Sequence, residues 1–292
     1  MGRAALAALR ARGYEIHGVA RAAADVDVDV WHAADFLDSA SAERVVRAAE
    51  ASHLLHLAWT TAHGRYWSDP ANLAWARATL HVVELFAERG GVRAVMCGSC
   101  AQYDWATSTI GPSGLLHEAS TPRRPASLYG AAKQATSDLL VAWSRTVGLS
   151  AAVALLFFPY GPFEKQGRLV PSVARHLLAG EAAPISAGTQ IRDFIHVADC
   201  GAALAALVDS DVSGSVNIGS GRGSSVADVA TTIAGILDRE ELLRIGALPA
   251  DESGHAAVAD VTRLRDELGF VPRYDLGGGL RDAVDFWRLR TS

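Results

Sequence analysis

Residues 92–100 read VRAVMCGSC, an apolar run that stops at a glycine and a serine. The run has the length and composition of a buried β-strand, and Gly98 marks the point where that strand ends. Similar apolar runs predict strands at Tyr14–Ala20, His53–Ala58 and Ala151–Phe158. Polar residues directly after such strands, such as Ser99, are candidates for a functional site, because ligands bind beyond the carboxyl ends of strands in open α/β sheets.

Helical patterns alternate with these strands. They predict helices at Arg3–Arg12, Ala40–Ala51, Pro70–Arg89, Tyr129–Val147, Val170–Ala179 and Val226–Leu237. The alternation and the continuously apolar strands predict an α/β fold with a doubly wound, Rossmann-type parallel sheet. The pattern loses its regularity after Gly161. We therefore divide the chain into a dinucleotide-binding Rossmann domain, residues 1–160, and a smaller, mainly substrate-binding region, residues 161–292, with segments that return to the sheet.

The composition excludes several classes of protein. The 292 residues carry a net charge of −5 without a basic block, so no nucleic-acid partner is expected. No apolar run reaches the roughly 18 residues that span a bilayer, so no membrane partner is expected. Three cysteines give no disulfide framework, which favours the cytoplasm, and Cys97 and Cys100 lack a second ligand pair, so we predict no metal. The arginine-rich residues 1–13 have features of a transit peptide, but a strand follows at once, which favours a core helix.

The stretch SLYGAAKQA, residues 127–135, places Tyr129 four residues before Lys133 on one face of a predicted helix. A tyrosine has a pKa near 10, and a neighbouring ammonium is expected to lower that pKa. Ser99 would hold a substrate oxygen against the phenol. The arrangement suits proton transfer to or from an alcohol or carbonyl oxygen, coupled to hydride exchange with a nicotinamide.

Several motifs follow one another in a recognisable order. They are ADFLD (34–38), LLHLAW (54–59), GSCAQYD (98–104), FFPYGP (157–162), GTQIRDFIHVAD (188–199), SVNIGSG (215–221) and VADVTRLRDELGFVP (258–272). Through these motifs, nearly the whole chain resembles the extended short-chain dehydrogenase/reductases, the NAD-dependent epimerase/dehydratase family that modifies nucleotide sugars.

The resemblance implies roles for individual residues. Ser99, Tyr129 and Lys133 would be catalytic. The residues that would contact the cofactor are Gly2, Arg21, Asp35, Phe36, Leu57, Ala58, Trp59, Asn72, Tyr129, Lys133 and Phe158. Cys100, Arg168 and Arg192 would contact the substrate. Arg192 would bind the diphosphate, with Arg168 compensating for an asparagine that Phe158 replaces.

Departures from the family pattern refine these expectations. The family opens with a central strand and a glycine-rich turn, of which only Gly2 has a counterpart, so we expect roughly ten further residues upstream of Met1. Cys100 and Ala101 stand where family dehydratases carry an acidic pair, so dehydration is not expected. The predicted strand before Arg21 ends without an acid, and an arginine there suits a 2′-phosphate, so the expected cofactor is NADP, with NAD as the alternative.

Together these features predict an NAD(P)-dependent reductase of a nucleotide-linked 4-keto-deoxyhexose. An epimerase of the same family that retains its cofactor is the alternative. A serine hydrolase is disfavoured because Ser99 lacks the G-x-S-x-G context, and a non-catalytic nucleotide-binding protein remains a further alternative. A homodimer is expected because two of the predicted helices resemble those that pair between family subunits. Their predicted outward residues are Leu73, Leu80, Leu139 and Trp143.

Overall fold

The computed structural model describes residues 1–22, 24–62, 64–107, 114–249 and 255–291. The helices are α1 (Gly2–Arg10), α2 (Ser39–Ala49), α3 (Ala71–Glu88), α4 (Leu128–Val147), α5 (Leu169–Leu178), α6 (Val197–Val208), α7 (Val226–Leu237), α8 (Thr262–Asp266) and α9 (Leu276–Thr291). The strands are β1 (His17–Ala20), β2 (Val30–Ala33), β3 (His53–His56), β4 (Arg93–Ser99), β5 (Ser150–Leu156), β6 (Phe158–Tyr160), β7 (Ala183–Pro184), β8 (Ile191–His196), β9 (Gly214–Ile218), β10 (Gly223–Ser225) and β11 (Leu243–Arg244).

The main sheet has the strand order β3-β4-β5-β9, and each neighbouring pair is parallel. Strands β4 and β5 are buried along almost their whole length, because helices cover both faces of the sheet. Helices α1 and α6 pack on one face and helices α3 and α4 on the other. The predicted doubly wound parallel α/β fold is therefore confirmed. Strand β9 comes from the C-terminal half of the chain and extends this sheet beside β5.

Strands β1 and β2 form a separate parallel pair. The ring of Tyr14, just before β1, lies 5.1 Å from the ring of His53 at the start of β3. This contact places the pair beside the main sheet, although no ladder joins β1 to β3 in the described residues. Helix α1 packs so closely on α6 that a Cβ on Gly201 would collide with the Ala4 backbone.

The second half of the chain adds a small mixed sheet with the order β10-β8-β6 and a short parallel pair of β7 and β11. Helices α5, α7 and α9 enclose a core of their own beside this sheet, with Val173, Ile233 and Val284 at its centre. None of the helices in the described ranges has the length and apolar content needed to cross a membrane.

The start and the end of helix α4 fix the position of the predicted Tyr129–Lys133 pair. The Ser127 hydroxyl accepts a hydrogen bond from the Gly130 N–H at 3.1 Å, which caps the first turn. The helix ends at Gly148, whose φ of 73° is the left-handed conformation that glycine adopts without strain. Tyr129 therefore lies in the first turn of a capped helix of 20 residues.

Candidate active site

Strand β4 delivers Ser99 to the carboxyl edge of the main sheet. The Ser99 hydroxyl accepts from the Ala101 N–H at 3.2 Å, and the Ser99 N–H donates to the Gln102 side chain at 2.9 Å. These reciprocal bonds start a 3₁₀ turn at Cys100–Gln102. A Cβ on Gly98 would lie within 2.8 Å of both Gln102 and Leu155, so only glycine fits before the serine. The end of the strand is thus held rigidly.

Tyr129 meets Ser99 from helix α4. Burial raises the pKa of the Tyr129 phenol well above its ordinary value, and a hydrogen bond with Ser99 offsets only part of this rise. The rings of Tyr66 and Trp67 pack edge-on against the Tyr129 ring, with centroids 4.9 Å and 5.8 Å away. The expected lowering of this pKa by Lys133 is not what the structure shows, because burial is the larger effect.

Lys133 is enclosed on the same side of the site, with only 2% of its surface exposed. Its Nζ donates to the Cys97 carbonyl at 2.7 Å and lies 3.7 Å from the centroid of the Trp59 ring. Burial lowers the pKa of Lys133 to about 8. Ser99, Tyr129 and Lys133, which we name the catalytic wall after the role that the sequence analysis predicts for them, lie close together, and Lys133 faces Trp59 and the β4 backbone.

A cleft of about 120 Å³ lies against the catalytic wall. This volume is below the roughly 300 Å³ of a complete small-ligand pocket, so the enclosed part suits a single reacting ring. The described lining residues are Met1, Leu57, Trp59, Thr61, Tyr66, Trp67, Cys97, Gly98, Ser99, Cys100, Ala101, Trp105, Tyr129, Lys133, Leu156, Phe157, Phe158, Pro159 and Arg168. No carboxylate is among them.

A second group of residues, which we name the outer wall, comprises Trp105, Phe158 and Arg168 from the cleft lining and Arg192, which packs on the rings of Trp105 and Phe158. Arg168 lines the cleft, and its Nε pairs with the Glu164 carboxylate at 3.1 Å. Burial raises the pKa of Glu164 to about 7. No sequence pattern singles out Glu164, because its burial depends on the packing of a loop between β6 and α5.

Arg192 packs against the two rings of the outer wall. Its guanidinium carbon is 5.0 Å from the Trp105 centroid and 5.6 Å from the Phe158 centroid. The guanidinium also donates to the carbonyls of Ile191 and His255, and only 5% of the residue is exposed. Arg192 is not among the described lining residues of the cleft, so direct contact between Arg192 and a substrate stays a prediction.

The residues predicted to bind the adenine half of a dinucleotide lie at strand ends. Arg21 is exposed directly after β1. Asp35 and Phe36 follow β2, where the Asp35 carboxylate accepts from the Leu37 N–H at 3.0 Å. The Phe36 ring stacks on His56 at 6.1 Å. These positions follow neighbouring strands, as a nucleotide site at this edge requires.

The start of helix α1 completes the candidate cofactor site. A Cβ built on Gly2 would lie 3.6 Å from Leu57, and Met1 and Leu57 both line the cleft. The first N–H groups of a helix are unpaired within the helix and favour an anion such as a pyrophosphate. Ala58 follows β3 and is partly exposed, and Phe158 begins β6 at the cleft. The residues present therefore fit a dinucleotide.

Asn72 is not among the described lining residues of the cleft, and its predicted contact with the cofactor stays a prediction. It is completely buried, and its Oδ1 accepts from the Trp59 indole N–H at 2.8 Å. Its amide group donates to the carbonyls of Tyr66 and Asp69, each at 2.8 Å. As placed, Asn72 fixes Trp59 and the segment before α3, and it does not reach the cleft.

The aromatic rings around Tyr129 were missed by the sequence reasoning. Tyr66 and Trp67 precede α3, and Trp105 follows the serine turn. The Trp105 indole N–H donates to the Cys100 carbonyl at 2.8 Å, which orients its ring between the serine turn and Phe158. The one sequence feature that points to these rings is the pair of adjacent aromatic residues in the polar stretch RYWSD (65–69).

Three side chains of the kind that bind metal ions lie close together outside the cleft lining. They are His117, Glu118 and Asp260. Each member already accepts a bond from a backbone N–H. His117 Nδ1 accepts from Ala119, Glu118 from Asn217 and Asp260 from Thr262. We therefore interpret the cluster as a structural junction.

The fold and the site define a doubly wound α/β protein with a serine, a tyrosine and a lysine at the carboxyl edge of its sheet. The sequence model of the NAD dependent epimerase/dehydratase family matches residues 1–219. The chain belongs to this family.

Individual relatives extend the comparison. A dTDP-glucose 4,6-dehydratase of Escherichia coli is 32% identical over 188 residues, which cover 61% of this chain and 52% of the relative. The chain thus matches about half the length of the curated relatives. The crystal structure of a UDP-glucose 4-epimerase of Thermus thermophilus, in complex with NAD, superimposes with a TM-score of 0.85 at 23% identity, covering 98% of this chain and 95% of that one. MoeE5 in complex with UDP-glucuronic acid and NAD gives a TM-score of 0.83 at 27% identity, covering 98% and 94%.

Proposed function

We propose that the protein is an NAD(P)-dependent oxidoreductase of a nucleotide-linked sugar, and that it reduces the keto group of an NDP-4-keto-deoxyhexose. The observation that carries this proposal is the meeting of the Ser99 and Tyr129 hydroxyls beside buried Lys133. Two hydroxyls at one point can hold and protonate a carbonyl oxygen, which is the task of a carbonyl reductase.

Each side chain of the catalytic wall has a defined task in this reaction. The Ser99 hydroxyl donates a hydrogen bond to the substrate carbonyl oxygen and orients it. The Tyr129 phenol gives its proton to the same oxygen as the carbonyl carbon is reduced. A raised pKa keeps the phenol protonated at neutral pH, which is the form that a proton donor needs. The reduced nicotinamide cofactor, when bound, supplies the hydride. The products are an alcohol and the oxidised cofactor.

The cleft lining supports reduction over dehydration, although the curated relatives named above are dehydratases. Cys100 and Ala101 occupy the two positions after Ser99, and both are buried. Burial raises the pKa of the Cys100 thiol to about 12, so this thiol does not act as a base at neutral pH. No carboxylate is among the described lining residues, so the acidic pair that family dehydratases use for water elimination has no counterpart there.

Epimerisation is the second candidate function. The nearly full-length superposition on a UDP-glucose 4-epimerase supports it, as does the fact that Tyr129 could serve both directions of hydride transfer. An epimerase must first remove a proton from the sugar hydroxyl, and the raised pKa of Tyr129 works against that step in the structure as it stands. A non-catalytic nucleotide-binding protein would show neither reaction.

For the cofactor we propose NADP. The support is Arg21, exposed directly after β1, with no acid in β1 to bind the ribose hydroxyls. The structures of the Thermus thermophilus epimerase and of MoeE5 both contain NAD, which keeps NAD as the alternative.

A screen of nucleotide-linked 4-ketosugars tests the proposal. Each sugar is incubated with the protein and either NADPH or NADH, and the absorbance of the reduced nicotinamide is followed. We expect a sustained loss of absorbance that is faster with NADPH. A protein that releases tightly held NAD only on denaturation, and interconverts two sugars without net loss of absorbance, would be an epimerase. If neither assay shows a reaction, the non-catalytic nucleotide-binding protein is the remaining alternative.

A further inference from the structure

Nearly all of the basic residues of this chain are arginines. Of 27 lysines and arginines, only Lys133 and Lys165 are lysines. Lys165 is exposed and donates to Thr61 at the rim of the cleft, whereas Lys133 is almost completely enclosed. Arginine does not lose its proton in proteins, but a buried lysine does so readily. The catalytic wall therefore carries, at Lys133, the one type of basic side chain whose charge its surroundings can control.

Those surroundings hold the Lys133 ammonium between two groups. The ammonium donates a hydrogen bond to the Cys97 carbonyl at 2.7 Å, and its Nζ lies 3.7 Å from the centroid of the Trp59 ring. The indole is aimed by a separate bond, because its N–H donates to Asn72 at 2.8 Å. The amide of Asn72 is itself fixed by two backbone carbonyls. These hydrogen bonds therefore fix the orientation of the indole, whose ring face lies against the ammonium.

We propose that Trp59 is a positioning residue that keeps Lys133 charged and in place through its ring face, and that Asn72 aims the indole. Taking an ammonium out of water disfavours its charged form, while the negative face of an indole attracts a cation most strongly where water is excluded. The catalytic use of Lys133 rests on the proposed function, but the effect of Trp59 on its charge does not.

Other titratable groups also face Lys133. His56 on β3 and Cys97 on β4 lie close enough to be influenced by its charge, and Tyr129 lies one turn away on the same helix. The neutral imidazole of His56 and the buried thiol of Cys97 contribute no net charge near neutral pH, since burial lowers the pKa of the first and raises that of the second. The ring face of Trp59 is thus the group whose removal should alter the Lys133 charge most directly.

The two-lysine composition permits a direct test. Protein labelled with ¹³Cε,¹⁵Nζ-lysine gives two lysine signals, and Lys165→Arg leaves the signal of Lys133 alone. The titration of Lys133 is followed by NMR in this background and in Trp59→Phe and Trp59→Leu variants. Trp59→Phe keeps an aromatic ring, which attracts a cation less strongly than an indole does, and it keeps most of the side-chain volume. The titration of Lys133 can therefore be measured in this variant even if the leucine variant does not fold.

We expect the pKa of Lys133 to fall by about half a unit with phenylalanine and by about one unit or more with leucine, because the ring attraction is reduced and then lost. Trp67→Leu is the matched control, since that ring faces Tyr129 and not Lys133, and it should leave the pKa of Lys133 in place. An unchanged or raised pKa in the folded Trp59 variants would overturn the proposal.

The same variants separate this inference from the proposed function. In the reductase assay, the alkaline limb of the kcat profile should move to lower pH in parallel with the NMR titration. A shifted titration in a protein without reductase activity would contradict the proposed function and leave the role of Trp59 standing. Reductase activity with an unshifted titration would contradict the role of Trp59 alone.

Discussion

The two walls of the cleft hold their polar groups in different ways. The catalytic wall fixes Ser99 by a strand end and Tyr129 by a capped helix start, and its charged member, Lys133, is sealed from solvent. The outer wall holds Arg168 through the carboxylate of Glu164, and it holds Arg192 through rings and backbone carbonyls. Burial therefore sets the protonation of the first wall, whereas a carboxylate, two rings and backbone carbonyls set the position of the two arginines in the second.

The largest expected effect tests the catalytic wall. Tyr129→Phe removes the proposed proton donor and keeps the ring that packs on Tyr66 and Trp67. We expect kcat to fall by about 10²–10⁴-fold, the usual contribution of general acid–base catalysis. Steady-state kinetics measure the loss, with Tyr274→Phe, outside the cleft lining, as the matched control. A variant within a few-fold of the unmodified protein would remove Tyr129 from the proposed mechanism.

The next effect tests the outer wall. If Arg192 turns toward the substrate diphosphate, Arg192→Met should raise the KM of the sugar nucleotide by about 10–150-fold, the equivalent of about 1.5–3 kcal/mol for a hydrogen bond to a charged group. The affinity for NADPH should change much less. Arg168→Met is the comparison, since this arginine already lines the cleft. An unaltered KM in a folded Arg192 variant would count against a nucleotide-sugar substrate.

A third prediction concerns stability beneath the catalytic wall. Burial lowers the pKa of His56 to about 4, below the value of about 6.5 in an unfolded chain. The unfolded state therefore binds a proton first, and stability is lost as the pH falls from about 6.5 toward 4, by up to about 3 kcal/mol. In His56→Gln, the free energy of unfolding measured by urea titration should depend less on pH in this range. An equally steep dependence would show that His56 is not responsible.

The smallest expected effect on activity concerns assembly. Leu73 on α3 and Leu139 on α4 are 57% and 55% exposed, whereas Leu80 and Trp143 are half-buried against their own chain. We propose that the exposed leucines lie at a homodimer interface, since association would bury this apolar surface. Sedimentation at micromolar concentration should give a dimer, and Leu139→Glu should shift it toward the monomer. A monomeric unmodified protein would refute the interface.

The sequence predicted the catalytic wall better than the outer wall, for a physical reason. Ser99 follows an apolar run and Tyr129 precedes Lys133 by one turn, so local patterns place all three side chains at the sheet edge. The contacts of Arg192 with Trp105 and of Trp59 with Asn72 join segments distant in the chain, and no local pattern encodes them. The sign of the pKa shift of Tyr129 was also missed, because it depends on how deeply the phenol is buried.

The fold shows the same division between local and distant contacts. The long helices and the buried strands β4 and β5 follow the predicted alternation closely. The small sheet of β6, β8 and β10 was not predicted, because its two outer strands have only three residues each and form only through pairing with β8.

The transfer of deuterium from the nicotinamide to the sugar tests the central claim most directly. The protein is given NADPH deuterated at the transferable C4 position and an NDP-4-keto-6-deoxyhexose, and the product is examined by mass spectrometry and NMR. We predict one deuterium at C4 of the sugar alcohol and one oxidised cofactor for each product formed, both lost together in Tyr129→Phe. If no deuterated sugar alcohol forms, and the protein instead interconverts two NDP-hexoses while a tightly held NAD shows no net oxidation, the reductase is contradicted and the epimerase takes its place.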